Sequence, residues 1–300
     1  MGPTASGKSA LAMSLAERLM ESGRPVELIT ADSMQVYRGM DIGTAKPTAS
    51  DQSRVIHHLI DIVDPHQEFS VAEFQTLARA AIDGARSRGA GSIVVGGTGL
   101  YIQALVDGLS IPGQFPDVRA SVESEPDTSA LYERVCELDP VAATRIDPLN
   151  RRRIVRALEV TIGSGRPFSS YGPGLDQFPP RPFRIVGIDI DREVLTPRIR
   201  ERLEGQLEEG FLDETRRLFE RGNISRTAAQ ALGYNELHEV LIGTLTLDEA
   251  LELAALRTRK FAIRQIRWFR RDPRITWFRY DTEPTEVTGA LSELWLTSDS

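Results

Sequence analysis

"MGPTASGKS", residues 1–9, decides the fold. Gly2, Gly7, Lys8 and Ser9 stand at the G-x-x-x-x-G-K-[ST] spacing of a phosphate-binding loop. In such a loop backbone N–H groups and the lysine cradle a di- or triphosphate, and the hydroxyl serves Mg²⁺. Gly2, Pro3, Thr4, Ala5, Ser6, Gly7, Lys8 and Ser9 are therefore the candidate phosphate-binding residues, with Ser9 as the Mg²⁺ ligand. "ALAMSLAERLM" (10–20) follows as the helix such a loop opens, ended by Gly23 and Pro25. A buried strand normally precedes the loop, and here a single residue does.

Outward from the loop, strands alternate with helices. "VELITAD" (26–32), "HLIDIV" (58–63) and "SIVVGG" (92–97) read as strands, the last as fully buried from its β-branched run. "SVAEFQTLARAAIDGARSRG" (70–89) has a Ser cap, Glu73 three residues on, and helical periodicity. This alternation predicts an α/β fold: a P-loop-type parallel sheet flanked by helices, with ligands at the carboxyl ends of strands. From 113 to 180 the reading changes to short helices without a convincing strand, bracketed by "IPGQFP" and "YGPGLDQFPPRP". The expected organisation is a core of 1–112 and 181–300 with a helical insertion domain at 113–180. "RIVGIDI" (184–190) and "ITWFRYD" (275–281) read as further strands, and 192–221, 226–243 and 246–271 as helices.

Composition narrows the class. At 41% hydrophobic and 26% charged the chain is ordinary for a globular protein. No run approaches the roughly 18 apolar residues a membrane span needs, and no signal peptide is visible. One cysteine, Cys136, makes no internal disulfide and suits a reducing cytosol; four histidines give no zinc spacing. A net charge of −7 argues mildly against nucleic acid but says little about local patches.

The loop alone implies polyphosphate binding, not ATP hydrolysis. The usual partner is an Asp ending a buried strand, holding Mg²⁺, yet "SIVVGG" runs into Gly-Thr. Asp61 is a substitute, or a structural residue. Asp32, at the predicted end of a strand beside the loop, suits a base or a Mg²⁺ partner; the alternative is a turn-forming Asp. "NRRRIVR" (150–156) carries four arginines in seven residues, and 257–274 carries eight Lys/Arg against one acid. On a helix Arg257, Lys260, Arg264, Arg267 and Arg271 share one stripe, with Phe261 and Trp268 at its flanks and Ala255, Ala262, Ile266 and Phe269 toward a core. Basic plus aromatic is what RNA with splayed bases asks for; a solvated basic face is the bland alternative.

"GPTASGKS", "ADSMQVYRGMDIGTAKP", "VGGTGLY", "RRRIVRALEV", "QALGYNEL" and "RTRKFAIRQIRWFRR", in this order, resemble the bacterial tRNA dimethylallyltransferase (tRNA isopentenyltransferase) family over nearly the whole chain. The resemblance implies transfer of a dimethylallyl group from dimethylallyl diphosphate to the exocyclic amine of the adenine 3′ of the anticodon, with Mg²⁺ assisting and diphosphate leaving. It implies Asp32 as the base, Arg202 facing the diphosphate beside Lys8, and residues 2–9 holding that diphosphate. It places Asp32, Ser33, Met34, Gln35, Thr98, Arg119, Arg152, Arg153, Arg156, Gly233, Tyr234, Arg264, Arg267 and Arg271 against the tRNA anticodon stem-loop. A cytoplasmic monomer without membrane contact is expected. Relatives begin with a short apolar strand before the loop, and Met1 stands in its place; a Val codon read as initiator would give this sequence. The rival readings are a P-loop nucleotide or small-molecule kinase, a prenyl transferase acting on free adenine nucleotides, and a non-enzymatic RNA-binding module.

Overall fold

The computed structural model describes residues 1–172, 174–280 and 283–296. The chain divides into two compact units, Met1–Val106 with Pro180 onward, and Asp107–Pro179. In chain order come α1 (Lys8–Glu21), β1 (Val26–Thr30), α2 (Ala49–Arg54), β2 (His57–His58), α3 (Val71–Ser87), β3 (Gly91–Val95) and α4 (Gly99–Asp107). The second unit holds α5 (Pro116–Glu123), α6 (Thr128–Leu138), α7 (Pro140–Ala143) and α8 (Arg151–Ser164). The first resumes with β4 (Val186–Asp189), α9 (Arg192–Glu208), α10 (Phe211–Glu220), α11 (Tyr234–Leu241), α12 (Leu247–Phe269), β5 (Thr276–Arg279) and α13 (Thr288–Leu296).

Local chemistry explains the main elements. In α1, Leu11, Leu15 and Leu19 with Ala12 and Ala16 bury one stripe. Ser70 and Glu73 make the reciprocal capping box that starts α3. β1 is buried at every residue, because it pairs in parallel with β2 on one side and β3 on the other. Ile29, Tyr37, Phe74, Tyr101 and Phe269 share the larger core. The second unit has its own core of Leu131, Val135, Ile154 and Leu158, and no strand among its described residues. No described helix is long and apolar enough to cross a membrane.

Several expectations need correction. The strand expected over 58–63 is two residues long, because Leu59 (φ 64°) and Asp61 (φ 55°) take left-handed conformations that no strand runs through. The helix expected over 192–221 is two, broken where Gly210 (φ 99°) turns the chain, and 226–243 is helical mainly from Tyr234 onward, after Gly233 (φ 91°). Asp281, the end of the last expected strand, lies outside the described residues. The final helix, α13, was not anticipated.

The sheet is parallel, as the alternation implied, but it comes in two pieces: β2-β1-β3, and β4-β5. β3, expected to be fully buried, is only half-buried along its length. A cleft of about 1250 Å³ lined by Ile93, Val95, Val186, Ile188, Leu11 and Trp295 accounts for this. Met1 lies at its edge. Its amino group donates to the Val186 carbonyl (2.7 Å) and its carbonyl accepts from the Ile188 N–H (2.9 Å), the bonding pattern of a parallel ladder. Chain added ahead of Met1 would therefore run into the cleft between β3 and β4. Five β-branched residues placed there are expected to raise the melting temperature by at least about 4 °C. Scanning calorimetry of the two chains checks this, and equal melting temperatures would show that the added residues do not pair there.

Candidate active site

Lys8 opens α1, and Gly7 (φ 70°) holds the left-handed conformation that turns the loop into the helix. No side chain caps that helix start and no acid lies in its first turn, so its N–H groups and positive dipole end are left for an anion. The loop is pinned from several sides. The Thr4 N–H donates to Gln265 Oε1 (2.8 Å), the Arg202 guanidinium donates to Thr4 Oγ1 (3.1 Å), and the Tyr280 hydroxyl donates to the Ser6 carbonyl (3.0 Å). The Lys8 ammonium reaches back to the Pro3 carbonyl at 3.4 Å. Ser6 is fully buried, and its hydroxyl has no partner among the described residues.

The electrostatics have one sign. Burial pushes Lys8 down to about 8, with the Arg202 charge adding to the depression and the Asp32 carboxylate opposing it. Arg202 is lowered by burial and raised by the same carboxylate. Two desolvated cations thus share one nearby carboxylate. At pH 7 the depression of Lys8 corresponds to about 3 kcal/mol held against its protonated form. An incoming polyanion removes that penalty.

Asp32 follows β1 in a tight turn. Its Oδ1 accepts the Met34 N–H (2.9 Å), so the turn-forming reading is correct for one oxygen, and the carboxylate keeps a second. Thr98 fastens this turn from both sides. The Thr98 N–H donates to the Ala31 carbonyl (3.2 Å), and its Oγ1 accepts the Ser33 N–H (3.1 Å). Gln35 is buried and donates to the carbonyls of Thr44 and Ala45 (3.1 and 3.0 Å). The Asp41–Gly43 stretch donates three successive N–H groups to the buried Glu214 carboxylate at 2.8, 2.9 and 3.0 Å, and the Tyr234 hydroxyl donates to it at 2.6 Å.

The RNA candidates separate into exposed and committed residues. Arg264 and Arg267 on α12 are exposed. Arg264 lies over the Phe261 ring (5.7 Å), and the partly buried Arg271 over the Trp268 ring (4.1 Å). Arg257, counted in the basic stripe, is paired with the buried Glu236. Arg152 and Arg153 on α8 are exposed. Arg156 and Arg119 instead converge on Glu159, which is 1% exposed and also takes the Phe115 N–H. Tyr234 is 2% exposed with its ring edge-on to Phe211, so its side chain belongs to the core and not to an RNA surface. Burial, with Glu214 reinforcing it, pushes its hydroxyl well above the usual range.

Sequence reasoning missed Gln265, Glu214, Glu159 and Tyr280. Gln265 had a visible signal. The buried positions of α12 run Ala250, Ala254, Thr258, Ala262, Gln265, Phe269, so a carboxamide stands where periodicity asks for an apolar side chain. Asp61, the alternative Mg²⁺ partner, is paired with the buried Lys46.

Residues 35–272 match the IPP transferase family. The chain belongs to that family. It is 48% identical over 98% of its length to the tRNA dimethylallyltransferase of Kineococcus radiotolerans, covering 94% of that protein. It is 45% identical over 93% of its length to that of Bifidobacterium longum, covering 85%. Among solved structures, the tRNA isopentenylpyrophosphate transferase of Bacillus halodurans is 38% identical with a TM-score of 0.70, over 99% of this chain and 94% of that one. A eukaryotic dimethylallyltransferase acting on tRNA is 27% identical with a TM-score of 0.80, over 99% of this chain and 78% of that one.

For this transferase the sign of the Lys8 shift fixes a pH dependence. Its amine is charged below about 8 and loses charge as pH rises through that value. Inorganic pyrophosphate binding, followed by titration calorimetry, is expected to weaken as pH rises through that value and to weaken less in Lys8→Arg. Identical pH profiles for the two proteins would remove Lys8 from the anion site.

Proposed function

We propose that the chain transfers a dimethylallyl group from dimethylallyl diphosphate to the exocyclic amine of the adenine 3′ of the anticodon in tRNA, releasing diphosphate. The observation that carries this reading is the pair of desolvated cations, Lys8 and Arg202, at an open helix N-terminus with Asp32 beside them. The relatives' names supply the transferred group and the acceptor. They also disfavour a kinase.

The chemistry follows from the nucleophile. An adenine amine is weak, because its lone pair is delocalised into the ring. The allylic C–O bond must therefore lengthen early, and negative charge grows on the departing diphosphate. Lys8, Arg202 and the loop N–H groups stabilise that charge where it develops. As the N–C bond forms, the amine hydrogen becomes acidic, and the Asp32 carboxylate accepts it. Mg²⁺, when bound, would neutralise diphosphate charge, with the Ser9 hydroxyl as its protein ligand. Ser9 is exposed at the start of α1, and a hydroxyl oxygen is the kind of hard donor that Mg²⁺ takes. The acceptor stem-loop is taken by Arg264 and Arg267 on α12 and by Arg271 just after it. A cytoplasmic monomer fits this role.

Two experiments test the reading. Labelled dimethylallyl diphosphate incubated with tRNA is expected to leave label on the nucleic acid, and Asp32→Ala to lower turnover by about 100-fold or more with tRNA affinity retained. Normal turnover in Asp32→Ala would remove the carboxylate from the mechanism. Replacing Arg264, Arg267 and Arg271 by Gln is expected to weaken tRNA binding and flatten its salt dependence, by up to about 0.7–0.9 in log–log slope per lost phosphate contact. Filter binding over a salt series checks this, and an unchanged slope would place the RNA surface elsewhere.

A further inference from the structure

Gln265 joins three segments that the reaction needs in fixed relation. Its Oε1 accepts the Thr4 N–H of the phosphate loop at 2.8 Å, and its Nε2 donates to the Gly97 carbonyl at 2.8 Å. Gln265 is 6% exposed. Gly97 is bonded in sequence to Thr98, whose N–H and hydroxyl grip Ala31 and Ser33 on either side of Asp32. Space at Gly97 is arranged around the carboxamide: a Cβ there would lie 2.3 Å from Gln265 Nε2. Gln265 itself belongs to α12, one residue from Arg264 and two from Arg267.

Each end of the carboxamide has a polarity it cannot exchange. A carbonyl oxygen is needed opposite an N–H at Thr4, and an N–H is needed opposite the oxygen of Gly97. No apolar side chain supplies either, and a carboxylate supplies only the first. The arrangement also occupies the Thr4 N–H, which leaves the anion to groups further along the loop.

We propose that Gln265 is a positioning residue that sets the separation between the diphosphate loop and the turn carrying Asp32, and that anchors both to the basic helix. It touches neither substrate in this role. It acts through Thr4 on the donor side and through Gly97 and Thr98 on the acceptor side. The inference rests on the reading of Asp32 and the loop given above. Loss of the carboxamide lets the two reacting partners drift while each binding surface stays intact. A displacement of about 1 Å between reacting groups costs on the order of 100-fold in rate.

The test is Gln265→Met, which keeps length and apolar packing but removes both polar ends. Single-turnover prenylation of tRNA, tRNA affinity and pyrophosphate affinity are measured for it and for the unaltered chain. The expected result is a fall of about 100-fold in the single-turnover rate, with tRNA affinity changed less than about threefold. An unchanged rate in Gln265→Met, or a parallel loss of rate and tRNA affinity, overturns the inference. Failure of the unaltered chain to label tRNA would instead overturn the functional reading beneath it. Should Gln265→Met not fold, amide exchange of Thr4 in the unaltered chain decides. Protection of at least about 100-fold without ligand supports the bond, and exchange at the unprotected rate refutes it.

Discussion

Two partly buried cations held near one carboxylate set the conditions for everything else in this molecule. Burial lowers the affinity of both Lys8 and Arg202 for their protons, and among the described residues the Asp32 carboxylate opposes this. Such an arrangement is costly in the empty protein and favourable once a polyanion arrives. The same excess charge that binds diphosphate stabilises it more strongly as a leaving group, because its negative charge grows along the reaction. A site built this way has no need of a strong nucleophile. It needs the nucleophile aligned and its proton removed.

Alignment is supplied by hydrogen bonds between segments far apart in sequence. Thr4 is held by Gln265 and Arg202, the Asp32 turn by Thr98, and the Asp41–Gly43 stretch by Glu214. Gln265, Arg202 and Glu214 lie on helices and Thr98 directly precedes α4, so the loops inherit the rigidity of the elements beneath them. Buried polar side chains of this kind are tolerated because every bond they make replaces one lost from water. Glu214 shows the principle most fully, with four donors on one carboxylate.

Local signals were legible in the sequence. The loop, its helix, the capping box of α3 and the parallel alternation follow from residue spacing alone, and Asp32 from its place after a strand. What stayed hidden depends on tertiary context. No spacing rule reveals that Leu59 and Asp61 turn left-handed and cut a strand short, or that β3 is half-buried because it borders a cleft. The basic residues show the same limit. Arg119 and Arg156 read as RNA contacts until Glu159 is seen between them, and Arg257 until Glu236 is. Charge in a sequence marks what a surface could attract, whereas a buried carboxylate decides which arginines remain to do it.

The most direct test is a crystal structure of the chain with a non-hydrolysable dimethylallyl diphosphate analogue and an anticodon stem-loop. The account predicts the diphosphate seated on residues 2–9 against Lys8 and Arg202, with an Asp32 oxygen about 2.6–3.2 Å from the adenine amine nitrogen. A purine amine that meets another side chain, with the Asp32 carboxylate turned away and no water between them, would contradict it.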